Sequence, residues 1–200
     1  MLENDRSIAV LILAAGQGTR MKSKRSKVLH EVAGRPMLAY PVGLAEALAP
    51  EHLITVIGRD ADQVEAAFAG RSQFVLQEEQ RGTAHAVMTA LPKLAGFEGD
   101  ILILYGDTPL LRAESVLRLL ELKAETGSPL AMLTSPEPLP GRVVRGPDGK
   151  VERIVEMTDA SPEELDIQEG NTGVYLVDAE FLQKALGQLD DRNEQGELYL

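Results

Sequence analysis

From Ile8 to Ala15 the chain reads IAVLILAA, eight residues without a polar side chain. So short an apolar run predicts a strand buried on both faces when helical patterns follow it. Leu38 to Leu48 predicts a helix, Leu53 to Ile57 a short β-branched strand, and Asp60 to Phe68 an amphipathic helix. Phe74 to Leu76 reads as a strand, Thr83 to Leu94 as an Ala-rich helix, and Asp100 to Tyr105 (DILILY) as a second strongly apolar strand. In Arg112 to Glu125 the residues Val116, Leu119, Leu120 and Lys123 fall on one face of a helix. Up to Glu125 the order is therefore β-α-β-α-β-α-β-α, which predicts a mostly parallel sheet with helices on both faces.

Beyond Ser128 the texture changes. Pro136, Pro138, Pro140 and Gly141 mark a loop, and Gly146-Pro147-Asp148-Gly149 between Val143–Arg145 and Val151–Val155 predicts a β-hairpin. Asp159 to Leu165 reads as a polar turn with a helix start at Ser161-Pro162-Glu163-Glu164. Gly173 to Val177 is a further strand and Ala179 to Leu189 a further helix. With no repeat, low-complexity tract or linker, residues 1–200 read as one domain, an α/β Rossmann-like sheet with an inserted antiparallel hairpin.

A domain of this size buries roughly 70% of its unfolded surface and needs no covalent staple. The absence of Cys excludes disulfides and thiolate zinc sites and fits a reducing, cytoplasmic setting. The polar, acidic start has no signal-peptide pattern, and no apolar run approaches a membrane span. A net charge of -11 argues against a nucleic-acid partner. It leaves room for a small anion where cations concentrate, and Arg20, Lys22, Lys24, Arg25 and Lys27 do so with no acid among them. A solvated basic loop would look the same, but this one follows a strand and a glycine turn.

Ligands of open parallel sheets bind beyond the carboxyl ends of the strands. Two segments at such ends carry the candidate chemistry. In Leu13-Ala14-Ala15-Gly16-Gln17-Gly18-Thr19-Arg20-Met21, small residues admit a ligand to the backbone and glycine permits positive φ. Successive N–H groups there can form an anion nest, and Arg20 adds a fork of donors. Met21 stands where a dinucleotide fingerprint needs a small residue, and no P-loop is present, so an ordinary strand-to-helix turn stays open. In Tyr105-Gly106-Asp107-Thr108-Pro109 a carboxylate follows a buried strand, a place suited to Mg²⁺ and equally to a turn-forming Asp. Between them, Gln77-Glu78-Glu79-Gln80-Arg81-Gly82-Thr83 reads either as a base-reading amide loop or as a polar loop with Thr83 capping a helix. His85 reads as a packed helix residue.

The stretch Leu13 to Met21, then Ser26-Lys27-Val28-Leu29-His30 and Gly34-Arg35-Pro36-Met37, resembles the signature of nucleotide-diphosphate-sugar pyrophosphorylases. With Ala15 in place of glycine, it is similar to the N-terminal domain of bifunctional N-acetylglucosamine-1-phosphate uridyltransferase/glucosamine-1-phosphate acetyltransferases. The resemblance implies a nucleotidyltransferase that joins UTP to N-acetylglucosamine 1-phosphate, for cell-wall and lipopolysaccharide precursors. It implies Arg20 and Lys27 as catalytic cations and Asp107 as Mg²⁺ ligand. Leu13, Ala14, Ala15, Gly16, Lys27, Gln77, Gly82, Thr83, Tyr105, Gly106 and Asp107 would bind the nucleotide, and Gly141, Glu156 and Asn171 the sugar. Two positions depart from the pattern: Ser26 stands where Pro is usual, which bears on loop stiffness, and Pro140 where Tyr is usual. The family continues past Leu200 to an Asn that completes the metal site and to a β-helix acyltransferase domain through which full-length members form homo-oligomers. The chain is thus expected to be a truncated nucleotidyltransferase domain. Two other readings stay open: the same chemistry on another acceptor, as in molybdopterin and methylerythritol nucleotidyltransferases, and a module that holds a nucleotide sugar without turnover.

Overall fold

The computed structural model describes residues 6–200 other than Gln17, Thr19 and Arg20. In chain order the strands are β1 (Ile8–Ala14), β2 (Glu31–Val32), β3 (Arg35–Pro36), β4 (His52–Ile57), β5 (Gln73–Leu76), β6 (Asp100–Tyr105), β7 (Leu130–Ser135), β8 (Gly141–Arg145), β9 (Val151–Glu156) and β10 (Gly170–Asp178). The helices are α1 (Ala39–Ala47), α2 (Ala61–Phe68), α3 (Thr83–Ala90), α4 (Ala113–Thr126), α5 (Pro162–Leu165) and α6 (Ala179–Leu186).

One mixed sheet runs β5-β4-β1-β6-β10-β8-β9, with β7 also paired to β10. The four strands from the edge strand β5 to β6 are mutually parallel; β10 runs antiparallel to β6, β7 and β8, and β8 to β9. The apolar run in β1 has the predicted cause. Val10, Ile12 and Ala14 point into a core under α1, α2 and α4, while Ala9, Leu11 and Leu13 point into a second core under α3 and α6. Each fully buried Leu or Ile there contributes about 1.5–3 kcal/mol.

Four outcomes differ from the sequence reading, the first being the short antiparallel pair β2–β3, which it did not include. The helix after Thr83 ends at Ala90 and tightens into a 3-10 turn at Leu91–Leu94, because Pro92 cannot donate to the ladder. The last helix ends at Leu186, three residues early. β7 was not expected: its Ala, Met and Ser are weak strand formers between two prolines, and its partner β10 lies far along the chain. The hairpin turn is as read, with Gly149 at φ 78° and its N–H donating to the Gly146 carbonyl at 2.9 Å.

The registers Leu13↔Tyr105, Ala14↔Ile57 and Ile57↔Leu76 bring the carboxyl ends of β1, β4, β5 and β6 level at one edge. The loops leaving that edge are tied to one another. Gly106 N–H donates to the Leu13 carbonyl at 2.9 Å, Gln77 N–H to that of Ile57 at 2.8 Å, and the Gln80 side-chain amide to that of Ala15 at 2.8 Å.

Candidate active site

At this edge a cleft of about 480 Å³ is lined by Leu13, Ala14, Ala15, Gly16, Lys27, Gln77, Gly82, Thr83, Tyr105 and Asp107. Ten of the residues singled out from sequence therefore share one cavity. Arg20 lies outside the described residues. Gly106 is not on the wall. Its N–H is spent on Leu13, and a Cβ there would meet Ala14, Leu38 and Val28 at 2.9–3.3 Å, so glycine lets β6 close against β1.

Within the glycine loop the tight turn belongs to Gly18 rather than Gly16. Gly18 has φ 58°, and a Cβ on it would fall 2.6 Å from Lys27 Cβ. Gly16 has, among the described residues beyond its chain neighbours, no atom within 4 Å of its own missing Cβ, and it lines the cleft wall. Downstream, a 3-10 turn at Lys27–Leu29 buries Val28 and Leu29 in the core under α1, which pins the backbone that carries Lys27. Ser26, in the place of the usual proline, has φ -51°, close to the value proline enforces, so the substitution leaves the local path unchanged.

Lys27 Nζ forms an ion pair with Asp107 Oδ2, both side chains being about one-third exposed (35% and 31%). The sequence offered Asp107 no neighbouring cation; the fold supplies one from 80 residues away. No group of three or more His, Cys, Asp or Glu side chains gathers as a metal cage among the described residues.

Gln77 is almost fully buried, 3% exposed, at the end of β5. Its Nε2 lies 3.3 Å from the Gly82 carbonyl and 2.9 Å from His85 Nδ1. Thr83 is not the cap of α3. Gly82 holds that position at φ 105° and has no side chain to cap with; residues 198–200 meet the helix start instead. Ala84 N–H donates to the Leu198 carbonyl at 2.9 Å, Leu198 N–H to that of Arg81 at 2.7 Å, and Leu200 N–H to Thr83 Oγ1 at 3.1 Å. A Cβ on Gly82 would collide with the Leu198 backbone.

Gly141, Glu156 and Asn171 do not line this cleft; they cluster where β8, β9 and β10 meet. Gly141 pairs with Glu156, and its missing Cβ would lie 3.0 Å from Glu156 Oε1 and 3.2 Å from Asn171 Cβ. Pro140 keeps the register, its carbonyl accepting from Met157 N–H at 2.9 Å. Asn171 is partly spent on its own strand: Nδ2 donates to the Tyr175 hydroxyl at 2.6 Å, and Oδ1 accepts from Gly173 N–H at 2.9 Å. Tyr105 is the wall between cluster and cleft, with its ring against Gly173.

The electrostatics follow the burial. Desolvation pushes the Tyr105 hydroxyl up to about 12, with the carboxylates of Asp107 and Glu156 adding to the effect. Glu156 is raised above the usual carboxylate range, first by burial and then by Asp159, against an opposing pull from Arg142. Sequence reasoning missed Gln80, which ties two loops, and Glu197, which reaches the cleft wall from the far end of the chain. No local pattern marks either, because both act through contacts distant in sequence.

Residues 10–165 match the family described as MobA-like NTP transferase domain. The chain belongs to that family. Among curated proteins, this NTP transferase chain is 47% identical over 194 residues to the bifunctional protein GlmU of Lactobacillus delbrueckii subsp. bulgaricus, covering 96% of the chain and 42% of that protein. It is 48% identical over 197 residues to the GlmU protein of Trichlorobacter lovleyi, covering 96% and 43%. The chain thus spans about two fifths of the length of these relatives. Among solved structures, a UDP-glucose pyrophosphorylase complexed with UDP-glucose superposes with a TM-score of 0.74 at 17% identity, over 97% of this chain and 83% of that one. At that identity the likeness establishes the NTP transferase fold, a central, mostly parallel sheet between helices with an antiparallel extension.

Proposed function

We propose that the chain transfers a uridylyl group from UTP to N-acetylglucosamine 1-phosphate, giving UDP-N-acetylglucosamine and pyrophosphate. The observation that carries this reading is the cleft. It gathers Gly16 and Gly18 with Lys27, Gln77, Gly82, Thr83 and Asp107 at one sheet edge of a chain nearly half identical to GlmU proteins. UTP would lie with its phosphates along Gly16–Gly18 and its base toward Gln77, and the sugar would reach past Tyr105 to Gly141, Glu156 and Asn171.

In the reaction a phosphate oxygen of the sugar phosphate bonds to the α-phosphorus while the bond to the β-phosphate breaks in line and pyrophosphate leaves. The attacking oxygen is already anionic, so no strong base is needed, and catalysis rests on positioning and neutralisation of charge. Lys27 supplies one cation from the described residues, and Arg20 is proposed as the second. A single carboxylate at an open phosphate subsite suits Mg²⁺, which takes one or two carboxylates and shares substrate phosphates. Asp107 would hold it, and the bound ion would offset triphosphate charge. A cytoplasmic enzyme feeding cell-wall precursors, with homo-oligomerisation through a further domain of the longer relatives, belongs to the same proposal.

A second reading keeps the chemistry and changes the acceptor, because the family match is to MobA-like transferases. The deciding measurement is pyrophosphate release from UTP with a panel of phosphorylated acceptors. Selective release with N-acetylglucosamine 1-phosphate supports the first reading; preference for another acceptor replaces it. Binding of UDP-N-acetylglucosamine without release, in a chain extended past Leu200, would leave a non-catalytic module.

A further inference from the structure

We propose that His85 is a positioning residue that makes Gln77 an acceptor-only reader of the base and so sets the preference for uridine over cytidine nucleotides. The inference rests on the reading above, that a base sits against Gln77. A carboxamide is ambidextrous: its oxygen accepts, its nitrogen donates, and it can turn either end to a ligand. Here the choice is constrained from the protein side. The Gly82 carbonyl can only accept, so the Gln77 atom 3.3 Å from it is the NH₂ group. The second hydrogen of that group points to His85 Nδ1 at 2.9 Å, which accepts only in the neutral imidazole protonated on Nε2.

With both hydrogens committed, Oε1 is the polar atom of the amide left over. It takes no hydrogen bond from the described residues and is not among their buried unpartnered atoms, and the side chain that carries it lines the cleft. An acceptor there pairs with an N–H on the base edge. Uracil presents N3–H; cytosine presents a bare N3, and two acceptors face each other. The rest of the amide has little freedom to adapt. Gln77 is 3% exposed, and its backbone N–H is fixed to Ile57 at 2.8 Å. Without His85, the Gly82 carbonyl alone, at the longer distance, would hold the orientation, and the amide could turn its nitrogen toward a cytosine.

The test is calorimetric binding of UTP and CTP, with Mg²⁺, to the 200-residue chain and three variants. His85→Phe removes the acceptor while filling the space, His85→Asn can return an oxygen near the Nδ1 position, and Gln77→Ala removes the reader. Thermal melting checks that each is folded. The expected result is a fall of about tenfold in the UTP/CTP affinity ratio for His85→Phe, the size of one hydrogen bond. His85→Asn should recover most of it, and Gln77→Ala should lose the ratio altogether. Equal weakening of both nucleotides by His85→Phe, or no recovery in His85→Asn, would mean that His85 only packs, and the inference falls. If Gln77→Ala leaves the ratio intact, the base lies elsewhere, and the inference falls together with the base subsite.

Discussion

Replacing Asp107 by Asn separates folding from chemistry in this cleft. The substitution keeps the shape of the side chain and removes its charge. The pair it breaks, with Lys27, is about one-third exposed on both sides, and pairs so exposed contribute roughly 0–1 kcal/mol. Val28, Leu29 and Gly106 hold the surrounding backbone through packing and main-chain hydrogen bonds that the change does not touch. The urea midpoint should therefore move by no more than about 1 kcal/mol in stability. Turnover should respond far more. If Asp107 fixes Mg²⁺ on the triphosphate, losing it removes charge stabilisation that matters most in the transition state, and a loss on the order of 10²–10³ in kcat is expected. Lys27, released from its partner, becomes freer to meet phosphate, so KM for UTP should stay level or fall, the signature of a lost transition-state contact. The assay is pyrophosphate release across a Mg²⁺ titration, in a form of the protein that turns over, with urea unfolding in parallel. Unchanged turnover at every Mg²⁺ concentration would remove Asp107 from the metal site. A large drop in stability would show that the ion pair is a structural element.

Two further predictions concern the corner beyond Tyr105. Gly173→Ala should lower stability by about 2–5 kcal/mol, read as a shift in urea midpoint. The residue sits at φ 76°, costing roughly 1–2 kcal/mol for a side chain, and the new methyl runs into the Tyr105 ring, an overpacking cost of about 1–3 kcal/mol. Adding Tyr105→Leu should restore part of the loss, and strictly additive effects would show that the two do not touch. Glu156→Gln should change how stability depends on pH. The raised folded pKa means that the native state binds more protons than the unfolded chain, starting from the ordinary value of 4.5. Stability from this group is therefore present below 4.5 and lost as pH rises through the raised value. The variant should gain on the parent as pH climbs through that window, and a difference that stays constant with pH would refute the buried-carboxylate account.

The sequence was most legible where the chain obeys local rules. β1 and β6 are apolar because both their faces are covered, and that could be read from the strings IAVLILAA and DILILY. The hairpin at Gly146–Gly149 announced itself through its turn residues. Contacts made across the chain were not legible. β7 exists because β10 pairs with it, Lys27 meets Asp107 across 80 positions, and Glu197 and Leu198 close on the start of α3. The same limit explains Thr83. A threonine opening a helix suggests a cap, but its hydroxyl accepts from Leu200 N–H, a partner 117 residues away.

The way the sheet is built accounts for the position of the cleft against the corner. Parallel strands β1, β4, β5 and β6 end level, so their loops make a continuous edge of backbone groups and small residues suited to a phosphate chain and a flat base. Antiparallel β10 cannot end there, since it runs the other way, and it carries the chain past the edge beside β6. Its register breaks between Asn171 and Tyr175, where Gly173 bends away at φ 76° and Asn171 ties the bend with two hydrogen bonds. Beyond the break, β8 takes over the side of β10 that β6 held, bringing Gly141 and, through β9, Glu156. Tyr105, the last residue of β6, stands at that handover with its ring on Gly173 and its hydroxyl next to Thr83. A change at Gly173 therefore moves the wall of the cleft as well as the corner behind it. That coupling is why a substitution outside the cleft is expected to alter the proposed nucleotide and sugar subsites together.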